Sequence, residues 1–162
     1  MVTFELILTW LLHAAVSFIA SFCVAIIYHT PKKHIVPAGI TGSFGWVVYV
    51  ILTHLGVTVA FASFFATVAL TVMARLFAST RKAPVPIFLV TGIFPLVPGL
   101  GIYNTGYSLF MSGNNSETLS LGLTTVSIAI AIALGMGLVL TVPQSVFSFI
   151  CNRKGNKNET TH

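Results

Sequence analysis

The sequence predicts an all-α membrane protein of five transmembrane helices, its N-terminus outside, its C-terminus cytoplasmic, and its fourth helix broken at a Pro-x-x-Pro-Gly element. Three observations carry this reading. Of the 162 residues 56% are apolar and only 7% are charged, where a soluble domain carries charge on about a quarter of its residues. Mean hydropathy is +0.95. Apolar runs recur near the roughly 20 residues a helix needs to cross a bilayer, and basic residues fall only in alternate gaps.

The runs cover 6–27, 36–54, 57–77, 85–111 and 119–150, which makes one membrane domain over 1–150 and a polar cytoplasmic tail over 151–162. The first is expected to be retained as a helix, because Met1 to Glu5 offers none of the Lys or Arg that precedes the apolar stretch of a signal peptide. Thr9, His13, Ser17 and Ser21 recur along it every four residues, a slowly winding polar stripe. His13 is the one residue deep in an apolar run that titrates near neutral pH; it either makes a structural hydrogen bond or couples transport to protons.

The second run, entered through Pro31-Lys32-Lys33-His34, carries the small residues Ala38, Gly42 and Gly45, and the third carries Ser63, Thr67 and Thr71 above Arg75. Hydroxyls at such spacing bond back to their own helix or line a polar pathway. His13, Ser17, Ser63 and Thr67 are the candidates for the second role. The fifth run has Ala129, Ala133 and Gly137 in a ridge that would let another helix come close, from this chain or another subunit.

The fourth run holds the sharpest local signal, Pro95-Leu96-Val97-Pro98-Gly99-Leu100-Gly101-Ile102-Tyr103-Asn104. Neither proline can donate a backbone bond, and each disfavours helical geometry at the residue before it. A discontinuous helix is expected. Unpaired backbone in hydrocarbon costs several kcal/mol per group, so such a break belongs in buried protein or against a wet cavity. The second half-helix, starting near Gly99, would point free N–H groups and a positive dipole end at a carboxylate. Pro95, Pro98, Gly99, Gly101, Tyr103 and Asn104 are therefore the candidate substrate-binding residues. A packing kink without a ligand is the other reading of the same residues.

All eight basic residues can be placed on one face by counting crossings: Lys32 and Lys33 after the first, Arg75, Arg81 and Lys82 at the third, and Arg153, Lys154 and Lys157 after the fifth. The other face takes Glu5, the Leu55-Gly56 turn and the loop from Asn114 to Glu117. The count requires the broken fourth run to cross fully. The basic balance thus reads as topology and gives no nucleic-acid footprint.

Cys23 and Cys151 form no CxxC pair or ligand cluster, so no metal or cofactor is expected. No HExxH, no nucleophile beside a base and no paired carboxylates stand at membrane depth, which argues against an enzyme.

Pro95-Leu96-Val97-Pro98-Gly99 followed by Tyr103, together with Pro37 to Trp46 of the second run, resembles the threonine/serine exporter (ThrE-like) family, and within it the small membrane subunit of the split, two-component form. The resemblance extends over essentially the whole length. It implies a secondary transporter in the cell (inner, cytoplasmic) membrane, acting with a larger partner that carries the other five helices and a soluble portion. The implied cargo is a small carboxylate-bearing metabolite: threonine, serine or a dicarboxylate such as succinate. Pro95, Pro98, Gly99 and Tyr103 are the positions that match. With so few acidic groups in this chain, the coupling ion is expected to be handled by the partner. A non-transporting membrane scaffold or assembly subunit is the alternative from another class.

Overall fold

In a computed structural model, residues 2–112 and 115–143 are described. The described residues form helices and short connections, without strands: α1 Val2–Ile27, α2 Lys32–His54, α3 Val59–Arg81, α4 Val85–Ile93, α5 Gly99–Tyr107 and α6 Asn115–Thr141. A 3-10 turn, Phe94–Leu96, follows α4, and a π-helical turn, Ser108–Ser112, extends α5. Four apolar stretches are long enough to cross a membrane singly, and 85–96 with 99–111 form a further pair bent by 46°.

The long helices end in the same local way. After α1, His29 adopts φ 53° and the Thr30 amide reaches back to Ala25 O at 3.0 Å. After α2, Gly56 sits at φ 80° while Val57 N–H bonds Leu52 O at 3.1 Å. After α3, Lys82 takes φ 48° and Ala83 N–H bonds Ala78 O at 3.1 Å. Such left-handed closures satisfy the carbonyls that a helix leaves unpaired at its C-terminus. They let each helix reverse within a few residues, so α1, α2 and α3 run antiparallel in turn.

Helix α2 is the centre of the bundle, packed against α1, α3 and α4. Its small residues make that possible. A Cβ on Gly42 would lie 2.8 Å from Ser21 Cβ of α1 and 3.2 Å from Gly92 O of α4, so the three backbones meet only because Gly42 has no side chain. Trp46 and Tyr49 stand on the same helix with ring centroids 5.2 Å apart. The core around it holds Ala38, Ala66, Leu70, Ala74 and Phe88.

Pro37, inside α2, cannot bond Lys33 O in the usual way. That carbonyl instead accepts a hydrogen bond from Arg81 Nη1 at 3.2 Å, tying the start of α2 to the end of α3.

Helix α6 packs on α3 and on α5. It ends at Thr141, short of the 150 expected from its apolar run, because Pro143 denies an N–H and disfavours helix at Val142. Residues 144–150, the tail 151–162 with Arg153, Lys154 and Lys157, and Asn114 lie outside the described residues.

Candidate functional site

The chain between α4 and α5 is where helical bonding fails. Helix α4 stops at Ile93, the 3-10 turn carries Pro95, and Val97 is extended (φ −60°, ψ 129°) ahead of Pro98. The freed Phe94 carbonyl accepts from Val97 N–H at 3.3 Å. Helix α5 then starts at Gly99, with Gly99 N–H on Val97 O at 2.7 Å and Ile102 N–H on Pro98 O at 3.0 Å. Those bonds leave the amides of Leu100 and Gly101 as the first-turn donors of the half-helix.

Against this break lies a cavity of about 270 Å³. Its wall runs from Pro95 to Gly101 on one side, and on the others has Trp46 and Tyr49 of α2, Val59 and Ser63 of α3, and Ile128 of α6. Four helices and the break therefore converge on one space. Its polar groups are few: the Trp46 indole, the Tyr49 phenol, the Ser63 hydroxyl and the backbone of the break. That is the usual make-up of a small-molecule site, apolar with a few polar groups that fix orientation.

Two of the polar wall side chains, Ser63 and Trp46, are held by hydrogen bonds. Ser63 is 2% exposed and donates to Val59 O at 2.8 Å. Trp46 Nε1 donates to His13 Nδ1 at 3.4 Å, linking α2 to α1. Ser43 Oγ donates to Ala14 O at 2.9 Å, linking α2 and α1 beside that pair. On the far side, Gly101 is pressed on α6, where an added Cβ would meet Thr125 Oγ1 at 2.7 Å.

Of the residues singled out in the sequence, the structure brings Pro95, Pro98, Gly99, Gly101 and Ser63 together in the cavity wall. Tyr103 and Asn104 stand outside it, exposed on α5, with Tyr103 stacked on Tyr107 at 6.2 Å. His13 is exposed and reaches the cavity only through Trp46. Ser17 is buried and donates to His13 O at 2.9 Å; Thr67 is buried one turn beyond Ser63 and donates to Ser63 O at 2.7 Å. Trp46 and Tyr49 were not among the expected site residues. With Gly42 and Gly45 they stand at i, i+3, i+4 and i+7, the glycine face of α2, and that spacing is the signal that could have found them.

The small-residue ridge of α6, whose contact the sequence leaves open between this chain and another subunit, faces outward. Ala129, Ala133 and Gly137 are exposed, and nothing lies within 4 Å of a Cβ built on Gly137. The close contact to α3 is made by Gly135 instead, where a Cβ would come 2.8 Å from Phe64 O. A second cavity, of about 320 Å³, lies between Tyr28 to Pro31 and the start of α4. Among the described residues no group of His, Cys, Asp and Glu is arranged to hold a metal ion.

The family described as Threonine/Serine exporter, ThrE, matches the chain over residues 13–142. That stretch takes in the broken helix, the whole cavity wall and the helices around them, and the chain belongs to this family of membrane exporters. No curated protein and no solved structure matches the chain significantly.

Proposed function

From membership in this family we propose that the chain is the small subunit of a two-component secondary exporter, and that the cavity at the helix break binds the cargo, a small carboxylate-bearing metabolite of the threonine, serine or dicarboxylate kind. The observation that carries this reading is the convergence of the cavity on the first turn of α5. A helix N-terminus with unused amides favours an anion. Here those amides belong to Leu100 and Gly101, both in the wall of a cavity of about 270 Å³. The Ser63 and Tyr49 hydroxyls across the same space suit the ammonium or hydroxyl of an amino acid.

In this reading α4 and α5 are one bent crossing, the basic turns after α1 and α3 lie in the cytoplasm, and the N-terminus lies outside. Lys32, Lys33, Arg81 and Lys82 all sit at one end of the bundle, which supports that orientation. The exposed ridge of Ala129, Ala133 and Gly137 supports a partner helix, because small residues allow the close backbone approach by which membrane helices associate. The larger partner would carry the remaining five helices and the groups that handle the coupling ion.

The test is efflux of radiolabelled threonine, serine and succinate from loaded cells making this chain, its partner, or both. Efflux that requires both chains is the expected result. Efflux with this chain alone would overturn the two-component reading. Its absence in every combination, with both proteins present in the membrane, would overturn transport and favour the scaffold.

A further inference from the structure

The second cavity, of about 320 Å³, has no part in the cargo site. Its polar groups stand at one rim: the Tyr28 hydroxyl, the His29 ring and the Thr30 hydroxyl, all in the turn that closes α1. That turn is set by His29 at φ 53°, with Thr30 N–H on Ala25 O. Among the described residues none of these three side chains has a hydrogen-bond partner. The rest of the wall is mostly apolar, from Pro31 and from Pro86, Ile87 and Val90 of α4; Thr91 turns its hydroxyl back to Ile87 O at 2.8 Å. From Pro86 to Thr91 the wall follows α4 for roughly 7.5 Å, at 1.5 Å per residue. Tyr28 is 62% exposed and Val90 40%, so the space opens on the outside of the bundle, beside the exposed Ile26 and Ile27.

The charges at this end of the bundle are all of one sign among the described residues. Lys32 directly follows Pro31 of the wall, and Lys82 stands four residues before Pro86. Lys33 and Arg81 sit at the same end, with Arg81 Nη1 on Lys33 O at 3.2 Å, and all four cations are exposed. Of the three acidic residues, Glu5 and Glu117 belong to the starts of α1 and α6, at the opposite end, and Glu159 falls in the tail outside the described residues. No described carboxylate is therefore placed to neutralise the lysines. Consecutive Cα atoms are about 3.8 Å apart and a lysine carries its ammonium on a flexible four-carbon stem, so Lys32 reaches the rim from its place beside Pro31. Helix α4 also starts at this rim, with the positive end of its dipole.

A space that is apolar inside, open sideways and rimmed by donors and cations suits a ligand with an anionic head and a hydrocarbon body. A soluble anion gains nothing from Ile87 and Val90, and an uncharged lipid gains nothing from the lysines. We propose that this cavity binds an anionic phospholipid of the leaflet at the basic end of the bundle, with its phosphate and headgroup among Tyr28, His29, Thr30 and Lys32 and the start of an acyl chain along Ile87 and Val90. This stands on the membrane reading alone and is independent of the cargo. A lipid so placed ties the end of α1 to α4, the helix that leads into the break.

The experiment puts a single tryptophan in the wall of the full chain, through Tyr28→Trp with Trp10→Phe and Trp46→Phe. The purified protein is reconstituted in phosphatidylcholine bilayers with rising fractions of dibrominated phosphatidylglycerol or dibrominated phosphatidylcholine, whose bromines quench a tryptophan only at close range. Phosphatidylglycerol should be preferred at the site by at least about fivefold, the effect of one lysine near an anionic lipid. Lys32→Gln combined with Lys82→Gln should bring the preference close to one. Val90→Phe, which keeps every charge and fills the wall, should do the same. The unaltered chain, released from mixed nanodiscs in a mass spectrometer, should retain phosphatidylglycerol over phosphatidylcholine by a similar margin. Equal quenching by the two lipids would overturn the proposal. So would a preference that falls with the lysines but survives Val90→Phe, because the charges would then attract lipid without the cavity. Displacement of the brominated lipid by inorganic phosphate at constant ionic strength would assign the cavity to a soluble anion and also refute it.

Discussion

A graded series at Gly99 tests whether the cavity at the helix break holds the cargo. Gly99 lines that cavity, and no heavy atom lies within 4 Å of a Cβ built on it, so a side chain there meets open space and leaves the fold undisturbed. Alanine at 99 adds one carbon beside the break and leucine adds four, so leucine is the one that competes for space with a ligand seated on the first turn of α5. Forcing the ligand into the smaller space costs about 1–3 kcal/mol, a loss of roughly 5- to 160-fold in binding. Gly99→Ala should therefore export within about twofold of the unaltered protein, and Gly99→Leu should fall by at least about tenfold. Serine, with seven heavy atoms, should suffer less than threonine in the leucine variant. Efflux from preloaded cells, normalised to the amount of protein in the membrane, reads all three. Unchanged export by Gly99→Leu at normal abundance would place the cargo elsewhere, and an alanine variant as defective as the leucine one would show that the effect is not volume.

Other consequences follow from contacts already described. Gly42→Ala puts a Cβ 2.8 Å from Ser21 Cβ and should cost about 1–3 kcal/mol in a denaturant titration of the purified protein, with Ser21→Gly recovering part of the loss in the double variant. Gly101→Ala should lower stability and export together by driving α5 off α6, and Thr125→Ala, which removes the Oγ1 atom at 2.7 Å, should restore both. If the basic turns are cytoplasmic, Leu55→Cys should react with an impermeant maleimide in intact cells and Lys33→Cys only after permeabilisation; the reverse pattern would invert the topology.

The helices were legible because their signals are one-dimensional. Apolar length marks a crossing whatever the helix packs against, and punctuation such as Pro31, Gly56 and Pro84 acts on the backbone of its own residues. Helix α6 shows where this fails. Its apolar composition continues past Thr141, and hydropathy does not register that Pro143 ends the helix. The ridge of Ala129, Ala133 and Gly137 was visible as a spacing, yet α6 turns Gly135 to α3 and leaves that ridge outward. Small residues occur on several faces of this helix, and only the shape of α3 decides which one is used.

The same distinction divides the site. Pro95, Pro98, Gly99 and Gly101 report on their own backbone, and they stand in the cavity wall. Tyr103 and Asn104 were placed by carrying the helix one turn onward, but past the 46° bend α5 runs along α6, and only its first turn lines the cavity. Trp46 and Tyr49 escaped notice for the opposite reason: an aromatic residue in an apolar helix has the same hydropathy whether it faces lipid, core or cavity. The line Ser63, Thr67, Thr71 and Arg75 lies between these cases. Its four-residue spacing is plain in the sequence, and so is the charge at its end; that Gly135 of α6 lies against Thr67 and that Arg75 bonds the terminal carbonyls of α6 is information held in another part of the chain, because both contacts depend on where a helix about 65 residues away in sequence comes to rest.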